Sequence, residues 1–340
     1  MTAPSVRKLI AAPEFGPLVL LIIEIVVFSF LTSRRAASDP FFSIFPSFLS
    51  STNISNLLAF TPELGMIALG MTLLMTAGEF DLSVGSVFGF AAIIMWTFFN
   101  TGATSLEIGF VLAMLISVAI GFVNGWFVTR LRIPSFLVTL GMLLVARGSA
   151  LYITDGFPQR TWNAGQSVLS AILVGEFYIG DVRIYASLPW FILFTVILHY
   201  VLVHSKAGNW ILASGGNAMA AIARGVKVGR TKIMLFILSA IMSAYAGITS
   251  SIRVSAANPN SGDGYELEVI AMVVIGGTAL AGGRGSIIGT VLGVLILRVM
   301  RNGIVMVGVP GLAYKIFIGA IILGMMVLHS SLERRTGNGR

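Results

Sequence analysis

The sequence predicts an all-α polytopic membrane protein of about ten transmembrane helices in a five-plus-five inverted repeat. Three observations carry that expectation. Of the 340 residues, 56% are hydrophobic and only 11% are Asp, Glu, Lys or Arg, with a mean hydropathy of +0.93. A soluble domain carries about 25% charged residues and could not cover its surface with so few. The apolar residues fall into long runs near the ~20 residues a helix needs to cross a bilayer. The 22 Lys and Arg are spread unevenly over the connections between those runs.

The elements follow in order. A tail over residues 1–15, with Arg7 and Lys8, precedes a first span over Gly16–Thr32 that contains Glu24. This run is too long for a signal peptide, and the chain stays hydrophobic after it. A Ser/Phe/Pro-rich connection leads to the second span, Ile54–Ala77, where Pro62 and Glu63 suggest a break or a preceding half-helix. Spans follow at Leu82–Phe99, Leu106–Thr129, Ser135–Ile153, Leu188–Val203 and Ile233–Ser250. The eighth, Glu266–Ala281, is short and Gly-rich, so it too is a candidate for discontinuity, which membranes tolerate where protein or a cavity surrounds the break. Ser286–Gly303 and Leu312–His329 complete the ten, and a tail over 330–340 ends the chain. The whole reads as one transmembrane domain.

With the N-terminus inside, 13 of the 22 basic residues fall on the inner side and five clearly outside, which places both termini in the cytoplasm. Two connections are longer than the rest: an outer one over 154–187 and an inner, basic one over 204–232. In the latter, Asn217 is placed to cap a short helix from Ala218 to Arg224 that Gly225 closes. Two turns of helix are poorly stable alone, so this one needs something to dock on, either a partner or the lipid headgroups. Of the five tryptophans, Trp96, Trp126, Trp162, Trp190 and Trp210, most fall near expected membrane interfaces.

The net charge of +8 comes from scarce acids and not from a dense basic face, which speaks against nucleic acid. Cysteine is absent, the three histidines form no cluster, and no Lys follows a Gly, so neither a metal site nor a phosphate-binding loop is expected.

Ile108–Ile116 (IGFVLAMLI) and Ile288–Ile296 (IGTVLGVLI) match at six of nine positions, and Asn124-Gly125 recurs as Asn302-Gly303. Five spans repeated once must invert in the membrane, an arrangement suited to alternating access. Glycines spaced for close helix approach stand at Gly85 and Gly89, at Gly121 and Gly125, and at Gly285, Gly289 and Gly293, with Gly276, Gly277, Gly282 and Gly283 just before the ninth span. Acids near spans include Glu79 and Asp81, expected near the inner surface as caps of a helix starting at Leu82, followed by Ser83. Glu266 and Glu268 are expected at the outer mouth of the eighth span. A sugar path needs hydrogen-bonding side chains plus apolar faces, and Asn56, Thr72, Asn124, Thr139, Ser243, Tyr245 and Thr278 are candidates; such residues more often pack helices together, and Asn124, a full amide in a Gly-rich span, is the best of them.

Four ordered segments resemble the membrane permease subunit of bacterial ABC importers for monosaccharides, the ribose/xylose/arabinose type. They are Ala68–Phe90 (ALGMTLLMTAGEFDLSVGSVFGF), Asn124–Gly148, Ser214–Lys227 (SGGNAMAAIARGVK) and Gly262–Gly293. The resemblance runs from about Asn53 to Leu328. It implies an inner-membrane subunit that pairs with a second copy or close homologue. It further implies docking on cytoplasmic ATPase subunits, or one duplicated ATPase chain, and delivery of sugar by a periplasmic binding protein. No cofactor is implied for this chain; ATP and Mg belong to the partner ATPase. Gly215, Gly216, Asn217, Ala218, Ala221, Arg224 and Gly225 would be the segment that docks in the ATPase, with Ala221 as a cross-linking position. Two departures stand out: Glu79 and Phe80 replace the family's usual Gly and small or branched residue before the Asp, and Ala218, Met219 and Ala220 replace its usual acids. An ion- or proton-coupled secondary transporter and a non-transport membrane scaffold or receptor are the alternatives, and the first would need a buried carboxylate and would transport without ATP.

Overall fold

The second apolar run forms the centre of the molecule. In the computed structural model, which describes residues 14–36, 47–160, 167–320 and 323–324, helix α2 (Ser51–Thr76) is 83% buried over its apolar window. Helix α1 (Phe15–Ala36) is only 11% buried and presents its apolar side chains outward. Helix α2 runs unbroken through Pro62, contrary to the expected break. The Thr61 hydroxyl donates to the Leu57 carbonyl, the kind of local bond that lets a membrane helix absorb a proline. The capping Ser50 accepts from the Asn53 N–H and fixes the start.

Around α2 stand α3 (Val84–Asn100), α4 (Leu106–Arg130), α5 (Ser135–Thr154), α7 (Ser187–His204), α10 (Val228–Arg253) and α12 (Ile287–Met306). A short helix α6 (Val168–Val174) precedes α7. A β-hairpin, β2 (Glu176–Ile179) with β3 (Val182–Tyr185), follows it and is tied to α2 by the Arg183 N–H donating to Ser55 Oγ. Strand β1 (Gln159–Arg160) pairs with β4 (Ala256–Ala257) on the same side of the molecule. The opposite side carries α8 (Lys206–Gly216) and α9 (Ala218–Ala223). We call these the hairpin face and the loop face. Lipid offers apolar side chains no less than another helix does, so cohesion rests on close approach and buried polar bonds. Gly121 and Gly125 bring α4 against Phe236–Ile237 and Ile233 of α10.

Two of the expected spans are broken inside the protein. Helix α3 starts at Val84, not Leu82, and the Ser243 hydroxyl of α10 donates to the Val84 carbonyl. Ser243 is roughly 22 Å along α10 from its start, so residues 77–83 climb into the protein as irregular chain before α3 begins. The reciprocal feature follows α10. Residues 258–264 descend from the hairpin face until Gly262 meets Gly85, held by the Arg147 guanidinium donating to the Pro259 and Ser261 carbonyls at 2.7 and 2.9 Å. Helix α11 (Tyr265–Ile275) then runs 11 residues, roughly 16 Å, and irregular chain over 276–286 finishes the crossing. Irregular backbone at this depth survives because packed helices and side chains supply its hydrogen bonds.

Seven helices among the described residues are long and apolar enough to cross a membrane, not ten. The shortfall has three causes. Helix α3 has 17 residues because its first turn is given up to the junction, and α11 is a half-helix. The expected tenth span is helical over 314–320 and 323–324, and its remainder lies outside the described residues, as do 1–13 of the N-terminal tail and the tail over 330–340. Trp96 is not at an interface. It is fully buried and its indole N–H donates to Ser251 Oγ at 2.9 Å. The connection over 205–227 holds more helix than expected, because Ser205 caps an additional α8 by accepting from the Gly208 N–H.

Candidate functional site

Three sequence segments meet on the loop face: the end of α2, the end of α8 and the irregular chain before α12. The Gly283 N–H donates to the Thr76 carbonyl at 2.8 Å. A Cβ on Gly215 would collide with that same carbonyl and stand 2.6 Å from the Gly283 amide nitrogen. Gly282 adopts a φ of +82°, and a Cβ there would lie 2.9 Å from the Gly78 Cα. Any other residue at either position must push backbone aside, and at Gly282 would also hold a left-handed conformation that costs about 1–2 kcal/mol. Gly285 lies against the Thr76 hydroxyl and Gly216 beside Gly283. The contact thus joins backbone to backbone, with no side chain between to absorb relative motion.

Beyond the contact, Asn217 Oδ1 accepts from the Ala220 N–H at 3.0 Å and starts α9, which ends at Arg224 with Gly225 at a φ of +84°. Ala221 is buried against its own chain, so it is not the position that a partner would reach. Met219 and Ile222 are, at 78% and 55% exposed. Ala218 opens the helix and Arg224 closes it. Lys232, four residues into α10, forms an ion pair with Glu79 at 2.5 Å, tying the climbing junction to α10.

Asp81 is higher in the junction than a surface cap. It is fully buried, and its Oδ1 accepts from both the N–H and the hydroxyl of Ser83. Asn124 of α4 donates to the same Ser83 hydroxyl at 3.1 Å, and Thr139 of α5 accepts from the Leu82 N–H at 3.0 Å. Thr72 pairs with Thr290 of α12 through their hydroxyls at 2.6 Å, and Ser243 holds Val84. Tyr245 is boxed by Phe110, Trp190 and Phe194, and Thr278 is buried. Thr72, Asn124, Thr139 and Ser243 therefore act in this conformation as internal ties, whereas the hydroxyls of Tyr245 and Thr278 are buried with no hydrogen-bond partner among the described residues. Of the seven polar candidates for a path, Asn124 lines a mostly apolar cavity between α4 and α5, and Asn56 lines one on the hairpin face. Gly85 and Gly89 receive the descending 258–264 chain, Gly276 packs on Gly289, and Gly293 on Met272. Gly277 follows the end of α11 at a φ of +89°. Asn302 exchanges two hydrogen bonds with Asn53, at 2.9 and 3.0 Å, and Gly303 lies on the Phe28 ring.

That cavity, of about 410 Å³, opens between α2, α10, α11 and α12 on the hairpin face. Its wall carries Glu63, Arg253, Arg298, Arg301 and Tyr265 beside Asn56. Arg253 donates through Nε and Nη2 to Glu63 and covers the Phe60 ring at 4.2 Å. Glu63 and Glu79 are thus both ion-paired, whereas Asp81 Oδ2 is buried with no hydrogen-bond partner among the described residues. The expectation of Glu268 at an outer mouth is corrected: it is 7% exposed on α11, with Arg301 Nη1 at 4.0 Å from its Oε2. Sequence reasoning missed these partners because they lie 153 and 190 residues apart along the chain. For Glu268 the available signal was arginine inside an apolar run, at Arg301.

The family described as "Branched-chain amino acid transport system / permease component" matches residues 53–326. The ribose import permease protein of Escherichia coli (strain K12) is 35% identical over 285 residues, covering 83% of this chain and 87% of that protein. The ribose import permease protein of Bacillus subtilis (strain 168) is 33% identical over 316 residues, covering 93% and 92%. The xylose transport system permease protein of Escherichia coli (strain K12) is 32% identical, covering 85% and 88%. No solved structure gives a significant match.

Proposed function

The chain belongs to this permease family, and from that premise we propose that it is the transmembrane subunit of an ATP-driven ABC importer for a monosaccharide. The family description speaks of branched-chain amino acids. The relatives matched over most of both chains are named for ribose and xylose, so a sugar of that class or a related polyol is the substrate. The subunit moves sugar from periplasm to cytoplasm and performs no covalent chemistry. ATP and its Mg are bound by cytoplasmic ATPase subunits or a duplicated ATPase chain, a periplasmic binding protein supplies the sugar, and a second permease copy or close homologue completes the pathway. It resides in the bacterial inner membrane.

The loop face is the cytoplasmic one. The excess of 13 basic residues over five supports this, and so does Glu14, which accepts from Ser286 Oγ at the loop-face end of α12 and sets the N-terminus on that side. We read the spans as two inverted units of five. Helices α2 and α10 are both 26 residues long, and Ser51 and Val228 are 177 positions apart, as are Thr76 and Arg253. Gly85 touches Gly262 and Phe88 stacks edge-on to Tyr265 at 5.2 Å, again 177 positions apart. A two-fold axis in the membrane plane between the units brings such mates together.

One observation carries the coupling assignment: the backbone contact of Thr76, Gly215 and Gly283, with exposed Met219 and Ile222 beyond it. A push on α9 passes through α8 into the end of α2 and the chain that completes the α11 crossing. ATPase closure biases a two-state equilibrium, and only an interaction that differs between the states can do so. Uptake of labelled ribose and xylose into proteoliposomes holding permease, ATPase and binding protein tests the function. ATP-dependent accumulation is expected, and uptake that needs neither ATP nor the ATPase refutes it.

A further inference from the structure

The cavity on the hairpin face holds an arginine with two guanidinium nitrogens that lack a hydrogen-bond partner among the described residues. Arg298 lines it and is 6% exposed. Among the described residues its Nε and Nη2 have no hydrogen-bond partner. Those two nitrogens form the side-on fork of a guanidinium, which matches two oxygens held a fixed distance apart. A buried unpaired guanidinium is expensive, so a partner for the fork is expected. Three groups present such a pair of oxygens: a carboxylate, a phosphate and a vicinal diol. The surroundings discriminate among them. Glu268 lies within electrostatic range of Arg298 and Arg301, and its Oε2 also lacks a hydrogen-bond partner among the described residues. A second anion there would face Glu268 and Glu63. A hydroxyl accepts from the guanidinium and donates onward to the carboxylate, satisfying both orphans at once. The volume of about 410 Å³ is in the range of small-molecule sites, and Tyr265 adds a ring face.

We propose that this cavity is a sugar site within each permease chain, in which the Arg298 fork takes a vicinal diol and Glu268 accepts from one of its hydroxyls. The fork is shut from solvent in this conformation, so binding requires its terminal side-chain torsions to rotate toward the cavity. Asn56 at the mouth adds an amide. The inference rests on the monosaccharide reading above, which gives the substrate class but no site. It differs from the path candidates read in the sequence, of which only Asn56 belongs to it.

The test uses the assembled transporter in nanodiscs and proteoliposomes. Labelled D-ribose, D-xylose and D-ribonate are the probes, the last carrying a carboxylate. Variants are Arg298→Gln, Glu268→Gln and, at an exposed position that leaves folding alone, Asn56→Ala. The complex without binding protein should retain ribose or xylose, and Arg298→Gln should weaken that retention at least tenfold. Sugar carried per ATP hydrolysed should fall at least fivefold in Arg298→Gln and Glu268→Gln, and about twofold in Asn56→Ala. ATPase stimulation by the binding protein should stay within twofold, which a variant that merely misfolds would not allow. Unchanged sugar-to-ATP ratios in all three variants overturn the proposal while leaving the importer reading intact. Retention of ribonate but neither neutral sugar overturns it in favour of an anion site. A wild-type complex that transports no sugar removes the importer reading and this site together.

Discussion

Gly215 and Asn302 give the account its sharpest expectations at the level of single residues. Gly215→Ala places a methyl group against the Thr76 carbonyl and the Gly283 amide nitrogen. Relief needs backbone movement, so the variant should lose about 1–3 kcal/mol of stability, read as a lower unfolding temperature in detergent. It should lose coupling of ATP hydrolysis to transport as well. The Asn53–Asn302 pair exchanges two amide hydrogen bonds between the hairpin-face ends of α2 and α12. Either residue changed to Ala should cost about 1–2 kcal/mol, and the double variant less than the sum, because the second change removes a partner already orphaned. A strictly additive thermal-unfolding cycle would show that the pair does not act as a unit. Gly215 was visible in the sequence as a glycine of the basic inner connection, and Asn302 as an asparagine in an apolar run. Their partners were not, since residues 76, 215 and 283 are brought together only by packing.

Among elements, α9 was the most legible from sequence. Asn217 as cap and Gly225 as stop fall where the spacing placed them, because capping is decided within a few residues. Which face it offers was not legible. Ala221 turns inward and Met219 and Ile222 outward, a matter of how α9 sits on α10 and α8. Cysteines at Met219 and Ile222 should therefore cross-link to the ATPase in the assembled complex, and one at Ala221 should not. The reverse pattern on mass-resolved gels would remove α9 from the ATPase contact. The broken crossings were half legible. Glycine density marked α11, whereas the irregular climb over 77–83 was read as a surface connection. Nothing local distinguishes a turn in water from one buried under Ser83, Asn124 and Thr139; the difference lies in who supplies the hydrogen bonds.

For the whole molecule, composition sufficed for the class. With 56% apolar and 11% charged residues, nothing but a membrane interior accommodates the chain. The number of unbroken spanning helices was over-read among the described residues, because apolar runs count equally whether they form one long helix or a half-helix joined to irregular chain. Orientation offers a separate check. Cysteines introduced at Met219 and at Tyr178, the latter exposed on the hairpin, should label from opposite sides of sealed spheroplasts with a membrane-impermeant maleimide: Tyr178 from outside, Met219 only after permeabilisation. Labelling of both from one side would contradict the arrangement of the two faces. The central claim, that this chain is the passive conduit of an ATP-driven sugar importer, is tested most directly by flux. Proteoliposomes with permease, ATPase and binding protein should accumulate labelled ribose or xylose only when ATP is present and only when all three components are. Accumulation driven by an ion gradient, with the ATPase left out, would contradict it.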